Sequence, residues 1–253
     1  MLVQQRKAHL LDILQRTGRI IAKEVSHTLN LSEDTIRRDL RDLAKDGVLT
    51  RVHGGAVPIS PATAPFNRRT GIGNAEKSAI GQHAASLIET GQVVFLDSGT
   101  TALQLARHLP KQLRATIVTH SPNIAMQLLG FENLDVEIVG GRLFAHSIVT
   151  VGAATLVWLD RYRPAVCFIG ATGIHPDDGI TTGNAEEAEV KRAVIARSGT
   201  SYILASSEKI GAVSAFKLAD CDQVDGVIGV KTANQSIYDQ LLAKGCDVLL
   251  AGQ

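Results

Sequence analysis

Between residues 93 and 250 the chain alternates short apolar runs with helix-periodic segments, and this alternation constrains the fold more than any other feature. The runs at 93–97, 115–119, 134–139, 165–170, 201–205, 224–230 and 247–250 are strand-length and rich in Val, Ile, Leu and Ala. Strands buried on both faces read this way, whereas half-exposed strands alternate apolar and polar residues. Helical segments lie between most of them, at 101–109, 122–129, 152–159, 184–198 and 234–244. The predicted body is therefore α/β, a mostly parallel sheet covered by helices on both faces.

With 253 residues, 45% hydrophobic and 20% charged, the chain can bury a sizeable core and is not of disordered composition. No apolar stretch approaches the length of a membrane span, and the N-terminal residues lack the apolar run of a signal peptide, so a soluble cytoplasmic protein is expected. Cys167, Cys221 and Cys246 are odd in number and widely spaced, which suits reduced thiols. Net charge is only +1, but it is unevenly placed. Residues 1–57 hold ten Lys/Arg against seven Asp/Glu, or +3, and the remainder holds sixteen against eighteen, or −2. A basic head on a slightly acidic body fits a nucleic-acid footprint at one end, although the excess is small.

The head has its own pattern. Leu10, Leu11, Ile13 and Leu14 give a helix over 3–16 that stops at Gly18. Ile21, Val25 and Leu29 give a second over 20–29, and Asn30-Leu31 makes a short turn. Ser32 is an N-cap, Glu33 and Asp34 suit the positive end of the helix dipole, and a third helix runs to about 46 on the stripe Ile36, Leu40 and Leu43. Gly47 ends it, and residues 48–52 and 53–57 read as two strands joined through a Gly-Gly turn. Pro58, Pro61, Pro65, Gly71 and Gly73 mark residues 58–73 as a linker, and a fresh helix spans Asn74 to Gly91. The expected division is a head at 1–57, a linker at 58–75 and an α/β body at 76–253.

Helix, tight turn, helix is the plan of a helix-turn-helix, whose second helix presents its N-terminal half to the major groove. Here that half carries Ser32, Glu33, Thr35, Arg37 and Arg38, with Arg41 one turn on and Arg51 and His53 on the ribbon beyond. Arginine can bond guanine bidentately or clamp phosphate, and threonine can touch a thymine methyl. The same arginines also fit a solvated helix surface, since Asp34–Arg38 and Arg38–Asp42 have the spacing of surface ion pairs. The run Leu31-Ser32-Glu33-Asp34-Thr35-Ile36-Arg37-Arg38-Asp39-Leu40-x-x-Leu43, then Gly47-x-Leu49-x-Arg51-x-His53-Gly54-Gly55-Ala56, resembles the DNA-binding signature of the DeoR family of bacterial sugar-responsive repressors. The resemblance implies a winged helix-turn-helix, a double-stranded DNA operator as partner, and assembly as a homodimer or homotetramer.

In the body, Asp97-Ser98-Gly99-Thr100-Thr101 joins a strand to a helix, where backbone N–H groups and hydroxyls suit a phosphate. On these five residues alone, an ordinary capped turn explains the pattern as well. Further polar loops follow the strands, as expected of a ligand site at strand carboxyl ends. They include Thr119-His120-Ser121, Gly140-Gly141-Arg142, Gly170-Ala171-Thr172-Gly173, and Ser207-Glu208-Lys209. Glu186, Glu189 and Lys191 fall early in a helix. Across residues 76–251 these segments resemble the sensor domain of the same family, which is similar in fold to ribose-5-phosphate isomerase and binds phosphorylated sugars. The resemblance makes Asp97, Ser98, Gly99, Thr100, Thr101, Thr119, His120, Gly141, Gly170, Thr172, Glu186, Glu189, Lys191 and Lys209 the candidate effector contacts. His120 stands where family members often carry Asn. A sugar-phosphate isomerase is the alternative reading, with Glu189 as its remaining carboxylate. The isomerases' Asp-Gly-Ala-Asp-Glu segment reads Ile169-Gly170-Ala171-Thr172-Gly173 here, and a sensor without turnover is expected. No catalytic residue, metal site or cofactor is assigned; His175-Pro176-Asp177-Asp178 reads as a turn.

Overall fold

In the computed structural model, which describes residues 2–17, 19–52, 54–231 and 235–252, the head is built on three helices. They are α1 (Val3–Thr17), α2 (Ala22–Leu29) and α3 (Glu33–Lys45). Leu10, Leu14, Val25, Ile36, Leu40 and Leu43 meet in one buried cluster, as the helical spacing requires. Asn30 takes the left-handed conformation at φ 52° to turn the chain between α2 and α3. Ser32 caps α3 by accepting from Thr35 N at 3.2 Å. At the other end Gly47 donates to the Ala44 carbonyl at 3.1 Å and Val48 to Leu43 at 3.0 Å, a Schellman closure that needs the positive φ of Gly47.

The wing has one strand more than the sequence suggests. Ile20 and Ile21, read as the start of a helix, instead form β1 (Ile20–Ile21). It pairs with β3 (Gly55–Pro58), which in turn pairs with β2 (Leu49–Val52), giving the order β1-β3-β2. Two β-branched residues favour extension, and Gly55 makes the pairing possible: a Cβ there would lie 1.7 Å from the Ile20 carbonyl oxygen. The helix stop at Gly18 and the ribbon residue His53 lie outside the described residues.

Residues 58–73 are not a loose linker. After a 3-10 turn (Pro61–Thr63) comes a short helix, α4 (Phe66–Arg69). Ser60, Ala62 and Phe66 are buried, and Phe66 N donates to the His146 carbonyl at 2.9 Å. Three apolar or small contacts without helical period suffice to dock the segment, and no periodicity search detects them.

The body follows as α5 (Asn74–Ser86), β4 (Val93–Leu96), α6 (Thr100–His108), β5 (Ala115–Thr119), α7 (Pro122–Leu128) and β6 (Leu134–Ile138). Next come β7 (Arg142–Phe144), β8 (Val149–Val151), α8 (Ala153–Leu159), β9 (Val166–Gly170), β10 (Gly173–His175) and β11 (Gly179–Thr182). Then α9 (Ala185–Ile195), β12 (Thr200–Leu204), β13 (Phe216–Ala219), β14 (Gly226–Gly229), α10 (Gln235–Ala243) and β15 (Asp247–Leu250) complete the chain. Helix α5 stops at Ser86, short of the expected Gly91, because Leu87 and Ile88 bond back three residues and tighten the last turn. Among the described residues no helix is long and apolar enough to cross a membrane.

All seven expected strands form one sheet in the order β15-β14-β12-β9-β4-β5-β6, every neighbouring pair parallel. Alternate residues face opposite layers. Val94, Leu96, Ile117, Phe168 and Leu204 pack under α5, α6 and α7. Phe95, Val118, Cys167, Ile169 and Ile203 pack under α8, α9 and α10. The sheet grows outward from its first strand in both directions, so β4 and β9 flank a topological switch point, where the helices leaving adjacent strand ends diverge and open a crevice. Two antiparallel additions, the β7–β8 hairpin and the β10-β11-β13 sheet, were not expected. Their strands are three or four residues long and bracketed by polar turns, too short to show a period. His175 ends β10, and its ring Nδ1 accepts from Asp177 N in the following turn at 3.2 Å.

The two faces of α3 should respond differently to truncation. Leu40→Ala is expected to destabilise the head by about 2–5 kcal/mol through lost burial and the cavity left behind, while Arg38→Ala on the exposed face should stay within about 0.5 kcal/mol. Denaturant titration followed by far-ultraviolet circular dichroism checks both.

Candidate functional site

The outward face of α3 is basic. Arg37, Arg38 and Arg41 are exposed, and Arg51 is exposed on β2. Arg37 is held by Glu33, with Nη2 2.7 Å from Oε1. Among the described residues no side-chain hydrogen bond or ion pair engages Arg38, Arg41 or Arg51. The Asp34–Arg38 and Arg38–Asp42 pairs that the spacing allows are not formed among the described residues; Asp42 turns to Lys7 on α1 at 3.2 Å. Ser32 and Thr35 share a hydroxyl contact of 2.8 Å at the helix start. Asp39 points inward, where the Arg6 guanidinium grips it through two nitrogens and ties α1 to α3. The buried carboxylate thus fixes the helix that displays the arginines.

The second site lies at the switch point. A cavity of about 470 Å³ opens where β4 and β9 end. Asp97, fully buried at the end of β4, organises its floor. One carboxylate oxygen accepts from Gly170 N on β9 at 2.7 Å and faces Lys191 Nζ on α9 at 3.0 Å. The other meets His120 Nε2 at 2.8 Å, and His120 Nδ1 lies 2.9 Å from the Thr150 carbonyl on β8. Burial alone would push the Asp97 carboxyl up, but the Lys191 ammonium and the His120 hydrogen bond hold it well below the usual carboxylate range. Above this floor, Gly99 at φ 104° starts α6 and leaves the helix's first amides without intrahelical acceptors. Thr101 Oγ1 is buried there with no partner.

Cations dominate the walls. Lys209 is buried with Nζ donating to the Leu204 carbonyl at 3.0 Å. Burial pushes its pKa down to about 7; Glu208 opposes the shift, and Lys77, Arg69 and Lys191 add to it. Lys77 is committed to the Arg69 carbonyl at 3.2 Å and to Glu208 at 3.7 Å. The carboxylates that line the cavity are Glu187 and Glu208.

Of the residues singled out in the sequence, the cavity wall brings together Ser98, Gly99, Thr100, Thr101, Gly170, Thr172, Lys191 and Lys209. Asp97 and His120 lie beneath it as its support, and Thr119 is buried, its hydroxyl accepting from Ser121 N at 3.1 Å. Three others point elsewhere. Gly141 packs against Thr155, Glu186 pairs with Arg142, and Glu189 is exposed on the outer face of α9, 2.6 Å from Arg192. The carboxylate on the cavity side of α9 is Glu187, one helical turn from Lys191. That phase was available in the sequence, since positions four apart share a face and positions two apart do not. Arg69 and Lys77 were missed because they belong to the connector and the helix after it, outside the loops that follow strands.

A DeoR-like helix-turn-helix domain matches residues 6–62 and the DeoR C-terminal sensor domain matches residues 73–229. The HTH-type transcriptional repressor GlcR of Bacillus subtilis is 31% identical over 99% of this chain and 97% of its own length. The glycerol-3-phosphate regulon repressor of Escherichia coli is 29% identical over 88% of this chain and 89% of its own. Among solved structures, ribose 5-phosphate isomerase A from Methanocaldococcus jannaschii aligns with 53% of this chain and 53% of its own, at 19% identity and a TM-score of 0.38. Both domain matches and near full-length identity to curated regulators place the chain: it belongs to the DeoR family of helix-turn-helix transcriptional regulators.

Proposed function

We propose that this chain is a transcriptional repressor of sugar catabolism genes that leaves its operator when a phosphorylated sugar occupies the switch-point cavity. The observation that carries the reading is the pairing, in one chain, of an exposed arginine face on α3, with Arg38 and Arg41 unengaged, and a cavity whose buried Lys209 has no carboxylate partner at bonding distance among the described residues. Such a lysine is costly to keep unless an anion visits it. In this reading α3 enters the major groove. Thr35, Arg37, Arg38 and Arg41 reach bases and phosphates, Ser32 and Glu33 position the helix start, and Arg51, with His53 beside it in the chain, touches the neighbouring backbone from the wing. The phosphate rests on the Gly99 turn and Lys209, and the sugar hydroxyls meet Thr172, Lys191 and Glu187. Similarity to the Escherichia coli glycerol-3-phosphate regulon repressor supports a small phosphorylated polyol or sugar as effector.

Two half-sites about one DNA turn apart call for a homodimer or homotetramer. Exposed Ile138 on the end strand β6, Leu143 on β7, and Val157 and Trp158 on α8 support subunit contact along that edge. The protein acts in the cytoplasm and turns nothing over: Glu189, the carboxylate that an isomerase reading selects, is turned away from the cavity. Ribose 5-phosphate isomerisation by the native chain, lost in Glu187→Gln, would revive the enzyme. Linkage requires that operator DNA weaken effector binding by the same factor as the effector weakens DNA binding.

Two measurements test this reading. Replacing both Arg38 and Arg41 with Ala should weaken binding to the DNA upstream of the chain's own gene by roughly 10- to 100-fold and lower the slope of log affinity against log salt by about one to two. Fluorescence anisotropy between about 50 and 200 mM salt reads both quantities, and an unchanged isotherm would remove α3 from the interface. The second uses pH. Lys209 is protonated below about 7 and neutral above, while a phosphate monoester is already mostly dianionic there, its second pKa being about 6. Sugar-phosphate affinity should therefore fall as pH rises from 7 to 9, approaching about tenfold per unit, and Lys209→Met should flatten the profile.

A further inference from the structure

The connector crosses the cavity mouth and is fastened on three sides. Ser60 Oγ donates to the Glu208 carbonyl at 3.4 Å, Phe66 N to the His146 carbonyl at 2.9 Å, and Lys77 Nζ to the Arg69 carbonyl at 3.2 Å. From the last residue of α4, Arg69 reaches back into the cavity. Its Nη1 would lie 3.8 Å from a Cβ at Gly99, so the guanidinium stands beside the turn that opens α6. Yet no side chain or carbonyl among the described residues accepts from it. Nε is buried without a partner, and its nearest ring contact is Phe66, at 5.9 Å from the centroid. Burial lowers the pKa of this guanidinium, with Glu187, Asp97 and Glu208 only countering from a distance.

A guanidinium offers five donors in a planar fork that matches an oxyanion. Opposite it, the first amides of α6 and the unpartnered Thr101 hydroxyl, on a residue 3% exposed, present donors from the body. Two unsatisfied donor sets face one gap, one carried by the body and the other by the segment that leads to the wing. We infer that Arg69 is an effector ligand supplied by the connector: the effector's phosphoryl group sits between the Gly99 turn and the Arg69 fork and clamps α4 onto the body. This rests on the sensor reading above and adds a route for it. Ten residues separate Arg69 from the end of β3 at Pro58, so the occupant that fixes Arg69 also sets where the wing is tethered. An empty cavity leaves the fork without an acceptor, and the connector then rests on the burial of Ser60, Ala62 and Phe66 and on hydrogen bonds to carbonyls, including that of Lys77 Nζ to Ile72 at 2.5 Å.

The experiment uses the full chain and inorganic phosphate, which carries the anion without the sugar. Isothermal titration gives affinity, and trypsin cleavage after exposed Arg68 reports whether the connector is clamped. The native chain should bind phosphate and be protected by it. Arg69→Ala should lose about tenfold or more in affinity and show no protection even at saturating phosphate. Arg69→Lys keeps the charge without the fork and should regain only part of the affinity; its thermal unfolding midpoint guards against simple misfolding. Lys209→Met should also bind more weakly, but at saturation it should still protect the connector. If Arg69→Ala binds as the native chain does, or remains protected, the connector ligand is wrong while the sensor reading stands. If the native chain takes up no phosphate at all, both fall.

Discussion

One carboxylate holds the centre of this molecule. Asp97 ends β4, and its two oxygens reach β9 through the Gly170 amide, α9 through Lys191, and the β5–α7 turn through His120. The last contact continues to β8 through the Thr150 carbonyl. Four separate elements are thus fixed around one buried charge, at the point where the sheet reverses its direction of growth. A carboxylate this deep is tolerable only because a cation and several hydrogen bonds surround it, and removing one partner would leave the other charge uncompensated. The pull of Lys191 and His120 against burial is what keeps Asp97 ionised. The cavity's shape follows: its floor is rigid, so specificity lies with the walls, and the walls include parts that belong to the connector.

His120 belongs to that floor. In sequence it stands in a polar loop after a strand, which is where ligand residues gather. In space both ring nitrogens are engaged by Asp97 and Thr150, and the side chain is fully buried. A histidine there exchanges a possible ligand contact for a brace between β4 and β8. The side chains that do line the cavity include Thr172 on the β9–β10 turn and Glu187 and Lys191 on α9.

The sheet was legible because burial on both faces leaves an unbroken apolar signature, and all seven central strands were found that way. The helix-turn-helix was legible for a related reason: Ile36, Leu40 and Leu43 must share a face, which leaves the arginines outside. Three things were hidden. Ile20 and Ile21 satisfy a helical stripe as well as a strand, and only the absent Cβ of Gly55 decides between them. Likeness of motif points to Glu189, whereas helix phase relative to Lys191 puts Glu187 on the cavity side. The connector reads as a linker because its prolines and glycines break every period, while Ser60, Ala62 and Phe66 dock it one residue at a time. Pattern reveals elements with repeats; it is silent on irregular backbone whose placement depends on contacts far along the chain.

The cavity's charges make the last step. Lys77 answers Glu208 and Lys191 answers Asp97, which leaves Arg69 and Lys209 without a carboxylate at bonding distance among the described residues. Folding has carried both groups out of water with carboxylates acting only from a distance, and a single carbonyl bond to Lys209 does not compensate. Sequences free to minimise such a cost would replace these residues with apolar ones of similar volume. Retaining both, at the mouth of a cavity whose floor is already neutralised, makes sense if the native state is completed by a dianion from solution. The stability of the connector's docking then becomes a function of metabolite concentration, through the same mass action by which any ligand stabilises the conformation it binds. Under the proposed function, a chain whose electrostatics are completed by an outside charge reports whether that charge is there.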